Sequence, residues 1–137
     1  MRILLVEDQA PLAKLIIAHL QKFYPIDLAL TLPQARFFLD TKNYDALILD
    51  LDLIGQDYAQ FCHELKKSQN LIILLLGTQL NLQDKIACLK KGADYLIKPF
   101  HLQELLAKIK WHLLKNKAKK HKLISSNLEL DQFSHQA

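Results

Sequence analysis

Four charged residues of this 137-residue chain have types and positions that suit chemistry: Glu7, Asp8, Asp50 and, before Pro99, Lys98. They follow short apolar runs, Ile3-Leu4-Leu5-Val6, Ala46-Leu47-Ile48-Leu49 and Tyr95-Leu96-Ile97. Such runs read as strands of a parallel sheet buried on both faces. The charges then fall at the carboxyl ends of those strands, the edge where open α/β sheets carry their sites. Three carboxylates in one place repel one another unless a cation joins them. Lys98 brings one positive charge, and a hard divalent ion would bring the rest. These are the electrostatics of a phosphoryl-transfer site.

Positioning those charges needs a scaffold, and strand and helix signals alternate along the chain. A first helix starts with Pro11 in its first turn and runs to about residue 22, with Leu12, Leu15, Ile16, Ala18 and Leu20 as its apolar face. Pro25 ends it, and a strand follows over 26–30. Thr31 and Gln34 have capping-box spacing, and Pro33 lies in the first turn of a second helix that turns Ala35, Phe38 and Leu39 inward. The strand at 45–49 leads to Asp50. A third helix is expected over 58–67, with Asp57 as its N-cap, and the most apolar run, 71–76, as a central strand. A fourth helix spans 82–91 and stops at Gly92. After the strand at 95–97, Leu102, Leu105, Leu106, Ile109 and Leu113 have the spacing of a fifth helix, with Trp111 off its stripe.

Five strands alternating with five helices predict an α/β doubly wound fold. The flavodoxin-like arrangement, a five-stranded parallel sheet of order 2-1-3-4-5, makes the first and third strands neighbours. That order gathers Glu7, Asp8 and Asp50 at the switch point.

Composition bounds the rest. Half the residues are hydrophobic, enough for one well-filled domain. No apolar run reaches membrane-spanning length and there is no signal-peptide pattern, so a cytoplasmic protein without membrane contact is expected. Cys62 and Cys88 lack metal-ligand spacing and read as buried thiols. The net charge of +4 is uneven. Residues 105–128 hold seven lysines and no acid, whereas residues 1–104 hold eleven Lys and Arg against twelve Asp and Glu. A basic stretch suits an acidic partner or, more plainly, a solvated helix end. Residues 115–122 have the composition of a linker, and 123–133 resume a strand-like pattern.

Taken as an ordered set, Val6-Glu7-Asp8, Leu49-Asp50, Gly92-Ala93-Asp94-Tyr95 and Lys98-Pro99-Phe100 resemble the receiver domain of bacterial response regulators. The resemblance covers residues 1 to about 116. Glu104-Leu105-Leu106-Ala107-Lys108-Ile109-Lys110 looks like the last receiver helix of the OmpR/PhoB-type winged-helix transcription regulators. Asn127-Leu128-Glu129-Leu130-Asp131 is similar to the first strand of their DNA-binding domain. The implied organisation is a receiver over 1–116, a basic linker over 117–122 and the start of a DNA-binding domain over 123–137.

The resemblance implies that Asp50 accepts a phosphoryl group from a sensor histidine kinase. Asp8 and Asp50 would ligate Mg²⁺, with Glu7 acting through water and the backbone carbonyl of Asp52 as a further ligand. Lys98, preceding a cis peptide bond, would pair with the phosphoryl, and Tyr95 would be the aromatic switch residue. A homodimer through the fourth helix, fifth strand and fifth helix is implied, with Lys85, Asp94, Glu104 and Lys108 placed for ion pairs. DNA would be bound through the C-terminal domain.

The chain also departs from the pattern. Ile54 and Tyr58 replace the proline and glycine usual after the acceptor, and Gly92-Ala93-Asp94-Tyr95 is one residue short. Counting back from Gly92 puts Gly77 at the switch hydroxyl's position, whereas counting forward from Asp50 allows Thr78, the one with a hydroxyl. Asp52 is an unusual acid two residues past the acceptor. Two rival readings stand beside this one. Asp50-Leu51-Asp52 resembles the Asp-x-Asp of haloacid-dehalogenase-type phosphatases, although there the motif follows the first strand. A stand-alone receiver acting by protein contacts is the other.

Overall fold

In the computed structural model, described for residues 2–54, 61, 64, 71–78 and 94–124, five parallel strands form one sheet. The strands are β1 (Ile3–Val6), β2 (Ile26–Ala29), β3 (Ala46–Asp50), β4 (Ile72–Gly77) and β5 (Asp94–Ile97). Their order is β2-β1-β3-β4-β5, the flavodoxin-like order expected from the alternation of elements. The described helices are α1 (Ala10–Leu20), α2 (Leu32–Thr41), a single turn α3 (Leu51–Ile54) and α4 (Leu102–Ile124), which is the fifth helix of the sequence reading. The expected helix over 82–91 and its Gly92 stop lie outside the described residues, as do Asp57, Cys62, Lys85 and Cys88. So do residues 125–137.

Alternation along the strands builds two cores, one on each side of the sheet. Leu4, Val6, Leu47, Leu49, Ile73 and Leu75 face one way, against Ala35 and Leu39 of α2 and against Phe61. Ile3, Leu5, Ile48, Leu74 and Leu76 face the other, against Ala13, Ile16 and Leu20 of α1 and Leu105, Ile109 and Leu113 of α4. Every residue of β1, β3 and β4 is buried, which is why their sequences are unbroken apolar runs.

Local chemistry sets several boundaries. The Thr31 hydroxyl accepts from the Gln34 N–H at 3.2 Å, and the Gln34 side chain reaches back to the Leu30 N–H at 2.7 Å, so α2 begins where the capping spacing puts it. In α1 the inward residues are Ala13, Ile16 and Leu20, whereas Leu15 is 58% exposed and Ala18 also faces solvent. The apolar face is therefore narrower than the sequence suggests, because Leu15 sits about 100° round the helix from Ile16.

Two stretches outside the expected helices are helical. A turn of helix, α3, begins immediately after Asp50. Helix α4 continues through 117–122 to Ile124, beyond Leu113, which packs on the sheet. Lysine and alanine are good helix formers, so a basic linker composition does not break a helix already nucleated on the core. Leu123 and Ile124 of the expected strand-like segment belong to this helix. Among the described residues, no helix is long and apolar enough to cross a membrane.

Candidate functional site

Strand register delivers the charges. Val6 lies opposite Leu49, so Glu7 and Asp50 emerge side by side at the carboxyl edge. Asp50 in turn lies opposite Leu76, and Gly77 opposite Ile97. Lys98 leaves β5 at the same edge, its N–H donating to the Gly77 carbonyl at 2.8 Å. The Lys98–Pro99 peptide is cis, as the resemblance implies.

The Asp50 carboxylate is 1% exposed. Its Oδ2 meets Lys98 Nζ at 2.7 Å, and its Oδ1 accepts the Asp52 N–H at 2.9 Å. Lys98 also reaches Asp52 Oδ2 at 3.1 Å, so one ammonium bridges two carboxylates. Burial alone would lower the lysine's pKa, but hydrogen bonds and charge from Asp50 and Asp52 raise it, so it is held as a cation.

Glu7 is fully buried, with Oε2 accepting the Gln9 N–H at 3.2 Å and Oε1 lacking any hydrogen-bond partner. Burial, followed by the neighbouring Asp50 carboxylate, pushes its pKa up to about 8, against the pull of the Gln9 N–H and Lys98. Asp8, the next residue, is exposed.

The repulsion expected among these carboxylates is thus met by Lys98 and by a proton on Glu7. Among the described residues no three His, Cys, Asp or Glu side chains form a ready metal cage. Mg²⁺ does not require one, since it keeps several waters and commonly takes only one or two carboxylates. The orphaned, buried Glu7 oxygen beside Asp50 fits such a partly hydrated cation.

The raised Glu7 pKa has a measurable consequence. The folded chain holds this proton up to about pH 8, whereas the unfolded chain releases it near 4.5. Glu7's contribution is therefore full below the unfolded value and falls as pH rises from there to about 8, by at most ~1.4 kcal/mol per pH unit. Glu7→Gln keeps the shape without the titration. Urea unfolding in metal-free buffer should show the variant gaining on the native chain between pH 5 and pH 8. Parallel curves would contradict the assignment.

The other expected residues are less simply placed. Tyr95 is half-buried, packed on the α2-side core. Gly77, the last residue of β4, shares that face by alternation with Leu75. It has no hydroxyl to offer there. Thr78 lies one residue beyond the strand. Its N–H and hydroxyl both donate to Asp52 Oδ1, at 3.2 and 3.0 Å. Of the six side chains proposed for the site, the structure joins Asp50, Lys98 and Glu7, links Thr78 to them through Asp52, leaves Asp8 exposed at the edge, and packs Tyr95 on the core.

The Asp52 side chain, an unusual acid two residues past the acceptor in the sequence, has partners that the sequence did not name, Lys98 and Thr78. Burial would raise its pKa, yet the Thr78 N–H, Lys98 and the Thr78 hydroxyl together hold it below the usual carboxylate range. Its spacing from Asp50 was the available signal, because the first turn of a helix after a strand turns residue i+2 back toward the strand end.

On the second sheet face, Asp94 is held within the chain, by Lys108 at 3.2 Å and His112 at 2.9 Å.

Comparison with known proteins is consistent across sequence and structure. The model of the response regulator receiver domain family matches residues 3–110. The transcriptional regulatory protein BasR of Escherichia coli (strain K12) is 38% identical over 135 residues, covering 96% of this chain and 61% of that protein. Response regulator ArlR of Staphylococcus aureus (strain USA300) is 32% identical over 111 residues, covering 80% of this chain and 51% of that one. A two-component response regulator from Clostridium difficile superposes with a TM-score of 0.75 at 27% identity, covering 82% of this chain and 95% of that structure. The chain thus spans from just under half to about three-fifths of the curated relatives it matches.

Proposed function

This chain belongs to the response regulator receiver family, in the company of OmpR/PhoB-type regulators, and we propose that Asp50 is its phosphoacceptor, charged by a sensor histidine kinase. One observation carries the reading: a buried carboxylate at the carboxyl end of the central strand, bound to a lysine at 2.7 Å. In the reaction an Asp50 oxygen bonds to phosphorus as the P–N bond of a phosphohistidine breaks. The imidazole nitrogen leaves with the electron pair and takes a proton. Asp50 becomes an acyl phosphate.

Asp8, Asp50 and the Asp52 carbonyl would hold Mg²⁺, with Glu7 acting through water. When bound, the ion would neutralise charge gathering on the phosphoryl oxygens. Lys98 would receive the same charge as a compact, mobile cation. The chain catalyses only its own phosphorylation and dephosphorylation, in the cytoplasm.

By analogy with BasR, a transcriptional regulatory protein, the output is transcription through a DNA-binding domain that begins in 123–137, after the segment 117–122. The two-fold face proposed for dimers combines the fourth helix of the sequence reading, β5 and α4. Asp94 and Lys108, candidates for ion pairs between subunits, already pair with each other. Exposed pairs contribute only ~0–1 kcal/mol each, so apolar contacts must hold such a dimer. The phosphatase reading loses ground because Asp52 faces Lys98 and Thr78 as an ionised carboxylate, unsuited to donating a proton.

The test is intact-mass measurement after incubation with acetyl phosphate and Mg²⁺. One phosphoryl mass should appear, map to Asp50, be removed by hydroxylamine as an acyl phosphate is, and be absent when Mg²⁺ is chelated. Steady release of inorganic phosphate from a phosphomonoester would instead favour the phosphatase.

A further inference from the structure

The donors at the carboxyl edge beside Asp50 are already in use. Lys98 Nζ lies 2.7 Å from Asp50 and 3.1 Å from Asp52. The Thr78 N–H and hydroxyl, at the mouth of the same edge, both point to Asp52 Oδ1. A single anion thus gathers an ammonium, an amide and a hydroxyl, the kind of donor set that a phosphoryl group on Asp50 would seek. The contacts are long-range in sequence, tying the turn after β3 to the end of β4. At the end of β4 itself stands Gly77, where a side chain would have room: a Cβ there would lie 3.5 Å from Leu51 Cβ and 3.9 Å from Asp52 Oδ1. No hydroxyl projects from that position, so the Thr78 donors are the ones this segment brings to the edge.

We propose that the Asp52 carboxylate is an internal substitute for the phosphoryl group, holding Lys98 and Thr78 before phosphorylation and surrendering them to it. This deepens the reading of Asp50 as phosphoacceptor and rests on it. A phosphoryl dianion on Asp50 would stand beside the Asp52 carboxylate and compete for the same ammonium. Like charges at this separation cannot share one lysine cheaply in a partly buried site. Asp52 therefore swings toward solvent, to which its side chain is already 33% open. The signal is then an exchange of one anion for another at fixed donors, with Thr78 tethered in both states. Phosphorylation is slowed by the carboxylate it must displace.

Two variants separate charge from tether. Asp52→Asn keeps an oxygen for Thr78 and loses the charge. Asp52→Ala loses both. In the resting full chain, hydrogen exchange at the Thr78 amide should be roughly tenfold or more faster in Asp52→Ala than in the native chain. Adding beryllofluoride with Mg²⁺ should restore protection in Asp52→Ala and change little in the native chain. Asp52→Asn should take up phosphoryl from acetyl phosphate, with acetate leaving, several-fold faster than the native chain. Equal Thr78 exchange in native and Asp52→Ala chains overturns the tether. Unchanged or slower uptake in Asp52→Asn overturns the competition. Failure of the phosphoacceptor reading looks different, because no form would then gain phosphoryl mass, while the resting exchange difference would persist.

Discussion

Asp50→Asn is expected to gain no phosphoryl mass under conditions that fully label the native chain. An amide oxygen is a poor nucleophile towards phosphorus, and the neighbouring carboxylates do not lie where Asp50 does. Glu7 carries a proton at neutral pH and is buried, and Asp52 is bound to Thr78 as well as Lys98. The variant should nonetheless fold. Lys98 keeps Asp52 as a partner at 3.1 Å, so no buried cation is stranded. Glu7 loses the hydrogen bond to the Asp50 carboxylate and its like charge, the two effects that, after burial, raise its pKa. The dependence of stability on pH between about 4.5 and 8 should therefore flatten in Asp50→Asn, a second readout that needs no phosphodonor. Full labelling of Asp50→Asn would move the acceptor to another residue and remove the basis of the proposed function.

The fold was legible because its strands are of the fully buried kind. Ile3 to Val6, Ala46 to Leu49 and Ile72 to Leu76 leave no polar position at which another structure could compete, and each ends in a charge or a glycine. Once those ends are fixed, the order of strands brings Glu7, Asp50 and Lys98 together without further information. What was hidden depends on distances between elements. Whether Leu15 faces the sheet is a matter of one helical step, and the sheet alone decides it. Asp52 and Thr78 lie 26 residues apart, and their contact requires the turn after β3 to coil as helix at once. The sequence pattern starts the next helix only at residue 58.

The choice between Gly77 and Thr78 was hidden for the same reason. Counting residues cannot settle it when the stretch before Lys98 is one residue short. Pairing adds what counting lacks: Gly77 is the partner of Ile97, and its carbonyl takes the Lys98 N–H. A chain that needed a hydroxyl on the last residue of β4 would not place glycine there. This chain instead brings its hydroxyl one residue later and meets it with an acid.

Lys98→Met should have the largest effect on stability, a loss of about 3–5 kcal/mol at neutral pH. Methionine preserves most of the apolar stem and so isolates the ammonium. The ammonium is the counterion of a carboxylate only 1% exposed, and it is itself mostly buried, with 15% of its side chain open. Its removal leaves Asp50 buried without a cation, beside Glu7 and within reach of Asp52. The cost is the desolvation of an unpaired charge, which exceeds what the pair contributes when intact. Little of it should be screened by salt, because a buried pair is screened much less than a surface pair. Lys98→Arg keeps the charge and should recover a large part of the loss, though its planar fork fits a two-carboxylate bridge differently. Urea unfolding of the three forms at low and high salt checks this. A loss under about 1 kcal/mol in Lys98→Met, or one that vanishes in salt, would mean that Asp50 is held by something other than this lysine. Phosphoryl uptake by the same variant should fall by about a hundredfold or more, since the dianion would arrive among carboxylates with no fixed cation to receive it.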